Sequence, residues 1–315
     1  AQKYHMDLIS HLLSVTPVRG SLDVRCQFGP AWQIEQSNAP EQLMQYHIVL
    51  KGQAQLDVEG VSSHQLVAGD LVMFPAGQAH KLYDGNPALK AETIQQGAGG
   101  ITLITNGSDY SVEILCGRFS LPRLSYRLLS NYLPTTVVLH TDVTKNGEAT
   151  DDAIRLHKLI QLMHEETADQ KAGSKIILDH LSGALFGLVL RNTYQKPAQQ
   201  AGLLKLSQNA RLKPALMAML EQPEQPFSLP QLASLCFMSR TTFVRQFQQA
   251  MGKTAAEFML EIRMLKAAKS LEETDLSVDA VAEQSGYQSV AAFQRIFKKV
   301  TGLSPALWRK QQQKT

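Results

Sequence analysis

Two histidines in the N-terminal third of the chain could bind a metal or a ligand through their imidazole nitrogens. His80 ends the stretch GDLVMFPAGQAH, residues 69–80. A glycine turn, an apolar strand and a Pro-x-Gly turn in this order predict the return hairpin of a small β-barrel. His47 begins HIVLKG on an earlier predicted strand. We therefore predict that His47 and His80 line an effector pocket in this barrel.

Cysteine sulfur is the second reactive group, and the chain has three cysteines, Cys26, Cys116 and Cys236. They are too few and too scattered for a disulfide scaffold, and none forms a Cys-x-x-Cys metal pair. Arg25 precedes Cys26, and Arg118 lies near Cys116; a neighbouring positive charge favours the oxidisable thiolate. We predict redox sensing at Cys26 and Cys116, through a disulfide or a sulfenic acid. The alternative is that both are small buried hydrophobic residues, as we predict for Cys236.

An internal repeat in the last third predicts two copies of one helical motif. LASLCFMSRTTFVRQF, residues 232–247, is echoed by VAEQSGYQSVAAFQRIF, residues 281–297. A short helix, a turn and a second helix in each copy have the spacing of a helix-turn-helix. A long helix that starts after Thr254 joins the copies, and Gly286 makes the second turn. The predicted N-cap residues are Ser228, Ser239 and Ser277.

The second helix of each copy has an apolar stripe of two phenylalanines and an opposite polar face. Arg245 and Arg295 occupy equivalent repeat positions, and arginine binds guanine through two parallel hydrogen bonds. Lys298 and Lys299, at a helix end, suit phosphate. We predict DNA contacts at Arg240, Thr241, Val244, Arg245, Ser289, Ala291, Gln294, Arg295, Lys298 and Lys299.

The charge distribution favours the same function. Residues 209–315 contain 14 Lys and Arg against 9 Asp and Glu, a net charge of +5, whereas the rest of the 315-residue chain has a net charge of −2. A basic C-terminal third on a slightly acidic body is typical of a nucleic-acid-binding module. No apolar run approaches the ~18 residues of a membrane span, and no signal peptide is evident. We expect a cytoplasmic protein without membrane contact.

The N-terminal two thirds divide into a strand-rich and a helical region. Residues 20 to about 120 alternate in polarity between turn signals, which favours an antiparallel barrel or sandwich. Helical periodicity begins in DDAIRLHKLIQLMHEE, at Asp151, and continues in KIILDHLSGALFGLVLRN. Because the apolar surface of this helical pair exceeds one buried stripe, the pair either packs on the barrel or forms a homodimer interface.

The double helix-turn-helix resembles the DNA-binding domain of the AraC/XylS family of bacterial transcription regulators. The resemblance implies seven helices, two recognition helices in successive major-groove segments, and transcription control, often activation with RNA polymerase as a partner. It runs from about Arg211 to Arg309. The matching positions are Ala233, Ser239, Phe243, Phe247, Gly252, Arg263, Ala267, Gly286, Phe293, Phe297, Gly302, Pro305 and Arg309.

Residues 10–121 resemble the cupin-type sensor domains joined to such DNA-binding domains, some of which respond to oxidants or electrophiles through cysteines. Metal-binding cupins have two histidines and a glutamate before the first conserved glycine, which here corresponds to Gly52. The glutamate position falls near Gln45, and residues 39–41 contain no histidine. Of the four ligands His80 alone is left, so we predict no metal, no cofactor and no catalytic residue. The alternative is a metal-dependent cupin oxygenase or isomerase with a nucleic-acid-binding appendage.

These observations predict an α+β multidomain protein. Its N-terminal part is an antiparallel cupin-like β-barrel followed by a helical hairpin, and its C-terminal part is an all-α double helix-turn-helix. The expected segments are an expression scar or tag (1–5), a cupin-like sensor domain (6–125), a helical linker or dimerisation hairpin (126–192), a linker (193–208) and a DNA-binding domain (209–315). The expected function is sequence-specific binding to operator or promoter DNA, most simply as an activator, under control of an oxidant or small-molecule signal.

Overall fold

The computed structural model describes residues 7–58, 61–85, 94–98, 100–107, 109–130, 133–141, 150–169, 171–195, 206 and 209–312. These residues form two compact units. The strand-rich unit comprises the described residues within 18–122 and 133–199, and the helical unit those within 1–17, 123–132 and 200–315. The expected tag (1–5) lies outside the described residues, as does most of the expected linker.

The strand-rich unit has two sheets. The described strands are β1 (Arg19–Phe28), β2 (Gln33–Gln36), β3 (Leu43–Lys51), β4 (Gln53–Val58), β5 (Val61–Val67), β6 (Asp70–Phe74), β7 (His80–Tyr83), β8 (Ile94–Ala98), β9 (Ile101–Thr105), β10 (Val112–Ser120) and β11 (Val137–His140). One sheet has the order β11-β6-β3-β10-β1-β9-β8 and the other the order β2-β7-β4-β5. Among these pairings, β1 with β9 is parallel and the others are antiparallel.

The predicted return hairpin at residues 69–80 is wrong. β6 pairs with β3 and β11, whereas β7 pairs with β2 and β4, so the two strands lie in different sheets. The Pro-x-Gly turn between them, with Gly77 at φ 65°, carries the chain from one sheet to the other. A side chain on β7 can therefore meet one on β3 across the core. The core itself is filled by large side chains that include Phe28, Trp32 and Phe74.

Both predicted helices of the hairpin are confirmed, as α3 (Asp151–Asp169) and α4 (Ser174–Gln195). Of the two alternatives for their apolar surface, α4 packs on the sheet of its own chain. Gly20 permits this approach, because a Cβ there would overlap the backbone of Ser182 and Gly183. Phe186 also contacts Phe119, with ring centroids 4.9 Å apart. The linker begins later than expected, since α4 continues through Gln195.

The helical unit contains nine described helices: α1 (Leu8–Val15), α2 (Arg123–Ser130), α5 (Lys213–Glu221), α6 (Leu229–Leu235), α7 (Arg240–Met251), α8 (Ala255–Glu273), α9 (Val278–Gln284), α10 (Val290–Thr301) and α11 (Pro305–Gln312). The last seven match the number implied by the resemblance. The predicted N-caps are confirmed, because the side chains of Ser228, Ser239 and Ser277 each accept a hydrogen bond from the backbone three residues on.

Two helices from the N-terminal half belong to the helical unit, which differs from the expected boundaries at 125 and 209. α1 packs on α5 and α8, and α2 packs on α8. Lys269 on α8 donates a hydrogen bond to the carbonyl of Ser14. Residues 133–141 differ from the expected helical hairpin as well, because β11 is an edge strand beside β6.

Candidate functional sites

Four strands of the barrel bring two cysteines and two histidines together. Cys116 on β10 lies opposite His47 on β3. On its other side β10 pairs with β1, where Val24 is opposite Cys116 and Cys26 is two residues further along. Because residues two apart on a strand share a face, both sulfurs enter the same core. His80 comes from the second sheet, at the first residue of β7.

Three of these side chains, Cys116, His47 and His80, form one hydrogen-bonded chain, and Cys26 faces the same core beside it. We call these four residues the thiol–imidazole cluster. The Sγ atom of Cys116 lies 3.0 Å from Nδ1 of His47. The Nε2 atom of His47 lies 2.7 Å from Nε2 of His80, and Nδ1 of His80 lies 2.9 Å from the carbonyl oxygen of Gln78. Phe74 fixes the His80 ring by stacking, with centroids 3.7 Å apart.

The hydrogen-bond partners determine where the protons lie. Burial, with repulsion from His80, holds the pKa of His47 well below its usual range, and burial also lowers the pKa of His80. Both imidazoles are therefore neutral, with one N–H each. The Gln78 carbonyl can only accept, so Nδ1 of His80 donates to it and Nε2 of His80 accepts from Nε2 of His47. Nδ1 of His47 is then left as an acceptor that faces the Cys116 thiol.

The arginines beside the cysteines do not activate them, which corrects the expectation from the sequence. Arg25 donates to Glu113 at 2.6 Å, and Arg118 pairs with Asp23 at 3.3 Å. Interaction with the Cys26 side chain, burial and the nearby charge of Asp23 raise the pKa of the Cys116 thiol well above its usual range. For Arg25 the physical reason is the alternation of side chains along a strand. Arg25 is adjacent to Cys26, so its side chain lies on the face of β1 opposite to the cysteine.

The cluster has the wrong geometry for a single metal ion. Cys116 and His80 approach opposite nitrogens of the His47 ring, so the three side chains do not converge on one point. No group of three or more His, Cys, Asp or Glu in the described part of the chain could hold a metal. At the expected glutamate position, the Nε2 atom of Gln45 donates to Gln36 at 3.0 Å. Sequence reasoning placed His47 and His80 in one pocket but gave no sign of their direct hydrogen bond.

The predicted DNA-contacting residues lie on helices α7 and α10 or at the N-cap of α10. Phe243, Phe247, Phe293 and Phe297 of these helices are buried. Val244 is half-buried, and Ser289 is the N-cap of α10, where its side chain accepts from the backbone of Ala292. Ser289 and the other eight predicted residues are exposed: Arg240, Thr241, Arg245, Ala291, Gln294, Arg295, Lys298 and Lys299.

The turns of the two helix-turn-helix copies differ in a way that the sequence did not indicate. Gly286 has the left-handed backbone expected of it, at φ 79°, and a Cβ there would overlap the Glu224 carbonyl. Phe237 holds the equivalent place at φ 53°, which costs a non-glycine residue about 1–2 kcal/mol. Its side chain is 95% exposed.

Comparisons with known proteins match both parts of the chain. Residues 7–195 match a cupin family model, and residues 232–311 match a helix-turn-helix domain model. An uncharacterised HTH-type transcriptional regulator of Haemophilus influenzae is 32% identical over 97% of this chain and 99% of its own length. This chain belongs to the AraC-type transcription regulators with an N-terminal cupin domain.

Two further relatives are similar along their whole length. The HTH-type transcriptional regulator MtrA of Neisseria gonorrhoeae is 29% identical, with 97% of this chain and 99% of MtrA covered. The RCS-specific HTH-type transcriptional activator RclR of Escherichia coli is 25% identical, with 96% and 97% covered. The predicted family and DNA-binding function are thus confirmed. None of the described helices is long and apolar enough to cross a membrane.

Proposed function

We propose that this regulator is a transcription activator whose binding to operator DNA is set by the oxidation state of Cys26 and Cys116. The observation that carries this proposal is the thiol–imidazole cluster, in which two buried thiols on adjacent strands face the same core and one of them lies 3.0 Å from an imidazole nitrogen. The relative RclR is called an RCS-specific activator, which supports both activation and a chemical signal. A cupin oxygenase function has no comparable support, because the cluster does not converge on a metal position.

A disulfide between Cys26 and Cys116 requires the strands to move. The two residues are diagonal neighbours on antiparallel strands, with Val24 opposite Cys116 and Cys26 opposite Ile114. Such neighbours have Cα atoms about 7–8 Å apart, whereas a disulfide spans about 4.4–6.8 Å. Bond formation therefore draws β1 and β10 together near their centres. Oxidation changes the backbone, and not only two side chains.

The same two strands lead directly into the helical unit. Three residues separate α1 from β1, and two residues separate β10 from α2. Arg19 and Ser120 are paired, so the two connections leave the sheet side by side. α1 and α2 both pack on α8, the helix that joins the two helix-turn-helix copies. A change in β1 and β10 thus has a short covalent route to the DNA-binding helices.

The remaining partners follow from the proposed activity. An activator acts on RNA polymerase in the compartment that holds DNA, so we propose a cytoplasmic location and contact with polymerase. We also propose a homodimer. Its support is a set of exposed apolar side chains on the helical hairpin, where Leu162, Ile176 and Ile177 are 45%, 57% and 41% exposed. Leu185, by contrast, is fully buried within its own chain and cannot be part of that set.

Footprinting tests the proposed function. The probe is the DNA upstream of the regulator's own gene, incubated with reduced protein and with protein treated with a stoichiometric oxidant. We expect protection of two adjacent major-groove segments, and a change in the protein concentration needed for protection after oxidation. Equal protection by both forms, with the disulfide present by mass spectrometry, would show that oxidation of these thiols does not control DNA binding.

A further inference from the structure

The hydrogen-bond chain in the barrel provides a base for one of the two thiols. We propose that His47 accepts the proton of Cys116 during oxidation, that Cys116 is the sulfur oxidised first, and that His80 holds His47 in the tautomer this requires. This inference rests on the proposed thiol function and names the residues that make it chemically possible.

A base is needed because the resting thiol is not ionised. Thiolate is the nucleophilic form of cysteine, and the pKa of Cys116 is raised. The titratable groups around its sulfur are Cys26 and Asp23 on β1, His47 on β3 and, behind His47, His80 on β7. Of these, His47 has a free lone pair on Nδ1, 3.0 Å from the sulfur. With this arrangement of protons, the thiol of Cys116 can donate its hydrogen bond to Nδ1 of His47.

The two cysteines have different surroundings, which separates their roles. Cys116 contacts His47 directly and keeps 8% of its surface exposed, whereas Cys26 keeps 2%. A small neutral oxidant such as a hydroperoxide reaches Cys116 more readily. Cys26 is the diagonal neighbour of Cys116 on the adjacent strand and faces the same core, which is the position of a resolving thiol. Cys116 is therefore the attacking sulfur and Cys26 the resolving one.

The reaction with hydrogen peroxide balances with these groups. The Cys116 sulfur attacks one peroxide oxygen, an S–O bond forms and the O–O bond breaks. As the S–O bond forms, the sulfur loses electron density and its proton becomes strongly acidic, so in the same step the proton passes through Nδ1 of His47 to the departing hydroxide, which leaves as water. The Cys26 sulfur then attacks the sulfenic acid on Cys116, the S–S bond forms, and a second water leaves. Two thiols and one peroxide give one disulfide and two waters, and His47 returns to its neutral state.

His80 acts through His47 and is a positioning residue. Its Nε2 atom accepts the His47 Nε2–H at 2.7 Å, and the Gln78 carbonyl keeps the His80 proton on Nδ1. Without an acceptor at His80 Nε2, the single proton of His47 could lie on Nδ1 instead of Nε2. Nδ1 of His47 would then be unable to take the proton of Cys116. The stacked ring of Phe74 holds His80 in this orientation.

The decisive variant is His47→Asn in the full-length protein. Asparagine places an oxygen near the position of Nδ1, so the hydrogen bond from Cys116 is kept while the base is lost. Oxidation of Cys116 by hydrogen peroxide is followed by differential alkylation and mass spectrometry. We expect a rate about 100-fold lower than wild type, since general-base catalysis is commonly worth about 10²–10⁴-fold. The matched control is His64→Asn, an exposed histidine of the same barrel, with no change expected.

The pH profile separates a base from a merely structural histidine. Between about pH 7 and pH 8.5 the wild-type rate should be flat, because the thiol and its internal base keep their protonation states. In His47→Asn the reaction depends on free thiolate, so the rate should rise about tenfold per pH unit. A variant with the wild-type rate and a flat profile overturns the proposal.

Variants of His80 test its positioning role, and they do so even if the His47→Asn variant does not fold. Glutamine at position 80 offers an oxygen to the His47 Nε2–H, so His80→Gln should keep most of the oxidation rate. His80→Leu offers no acceptor and should be slow. Equal rates in these two variants would contradict the positioning role. If Cys116 oxidises through His47 but DNA affinity stays constant, the proposed control of DNA binding fails while this chemistry stands.

Discussion

The barrel and the helical unit hold their functional side chains in opposite environments. Cys26 and His47 are each 2% exposed, in a core between two sheets. Arg245 and Arg295 are exposed, on helices whose other face is anchored by phenylalanines. The barrel groups come from four strands, whereas each predicted DNA-contacting set comes from one helix and its N-cap. The chemistry of the barrel therefore depends on tertiary packing, and the DNA surface depends on helix register alone.

The surroundings of one cysteine in each region, Cys236 and Cys116, show the same contrast. Cys236 ends α6, and its sulfur lies 4.0 Å from the Leu212 carbonyl, a weak hydrogen-bond contact. Burial raises the pKa of the Cys236 thiol, and among the described residues no imidazole forms a hydrogen bond with its sulfur. Cys116 is also buried, but it has a base on one side and a second thiol on the other. Burial makes a cysteine inert unless its neighbours supply a proton acceptor.

The largest expected effect tests whether the helical unit can be destabilised while the barrel stays folded. Gly286→Ala forces a Cβ against the Glu224 carbonyl at a positive φ, so it should lower the free energy of unfolding of this unit by about 3 kcal/mol. The fluorescence of Trp308 reports the helical unit in a Trp32→Phe background, during urea denaturation.

The matched control for Gly286→Ala is the equivalent turn of the first copy. Phe237→Gly removes the strain of a positive φ and should raise the free energy of unfolding by about 1 kcal/mol. Alkylation of Cys116 in native buffer should be the same in both variants. A faster reaction of Cys116 in Gly286→Ala would show that the regions do not fold independently.

A smaller effect is expected at the DNA surface. Arg245→Ala and Arg295→Ala should each weaken specific DNA binding by about 1–3 kcal/mol, through loss of paired hydrogen bonds to guanine. The peroxide oxidation rate of Cys116 should not change. Gel-shift titrations with operator and scrambled duplexes measure the first effect. Equal losses on both duplexes would contradict base recognition by these arginines.

Lys298→Ala provides the contrast within the same helix. Lys298 is exposed in the last turn of α10, where it suits phosphate and not a base edge. Its loss should weaken binding to every sequence alike and reduce the salt dependence of the affinity by about one unit of logarithmic slope. A loss confined to the operator duplex would place Lys298 among the base-reading residues instead.

The smallest expected effect concerns the proposed dimer. Ile176→Glu with Ile177→Glu places charges on the exposed apolar surface of α4 and should weaken self-association about tenfold or more. Leu307→Glu, at a residue 54% exposed in the helical unit, is the matched control. Analytical ultracentrifugation measures both. A wild-type protein that stays monomeric at tens of micromolar contradicts the dimer.

The helical unit could be predicted in detail because its determinants are local. Serine caps, phenylalanine spacing and a turn glycine lie within a few residues of the elements they define, and the repeat supplied a second copy of the caps and of the phenylalanine pair. The left-handed Phe237 was missed because a phenylalanine gives no sequence signal for a positive φ. α1 was missed although Asp7 caps it and its apolar residues have helical spacing.

The barrel cluster could be predicted only in part, because its contacts join distant strands. His47 and His80 were assigned to one pocket, but their hydrogen bond depends on β6 and β7 lying in different sheets, which a hairpin pattern does not reveal. The activating role assigned to Arg25 ignored the strand period, which turns adjacent side chains to opposite faces. That error was avoidable from the sequence alone.

The measurement that tests the account most directly is the operator affinity of reduced and oxidised protein, for wild type and three cysteine variants. We expect oxidation to change the affinity of wild type and of Cys236→Ser by the same factor. Cys26→Ser and Cys116→Ser should show no reversible change, with the affinity of their reduced forms like that of wild type. An unchanged oxidant response in the Cys26→Ser, Cys116→Ser double variant would contradict thiol control and leave a small-molecule effector as the signal.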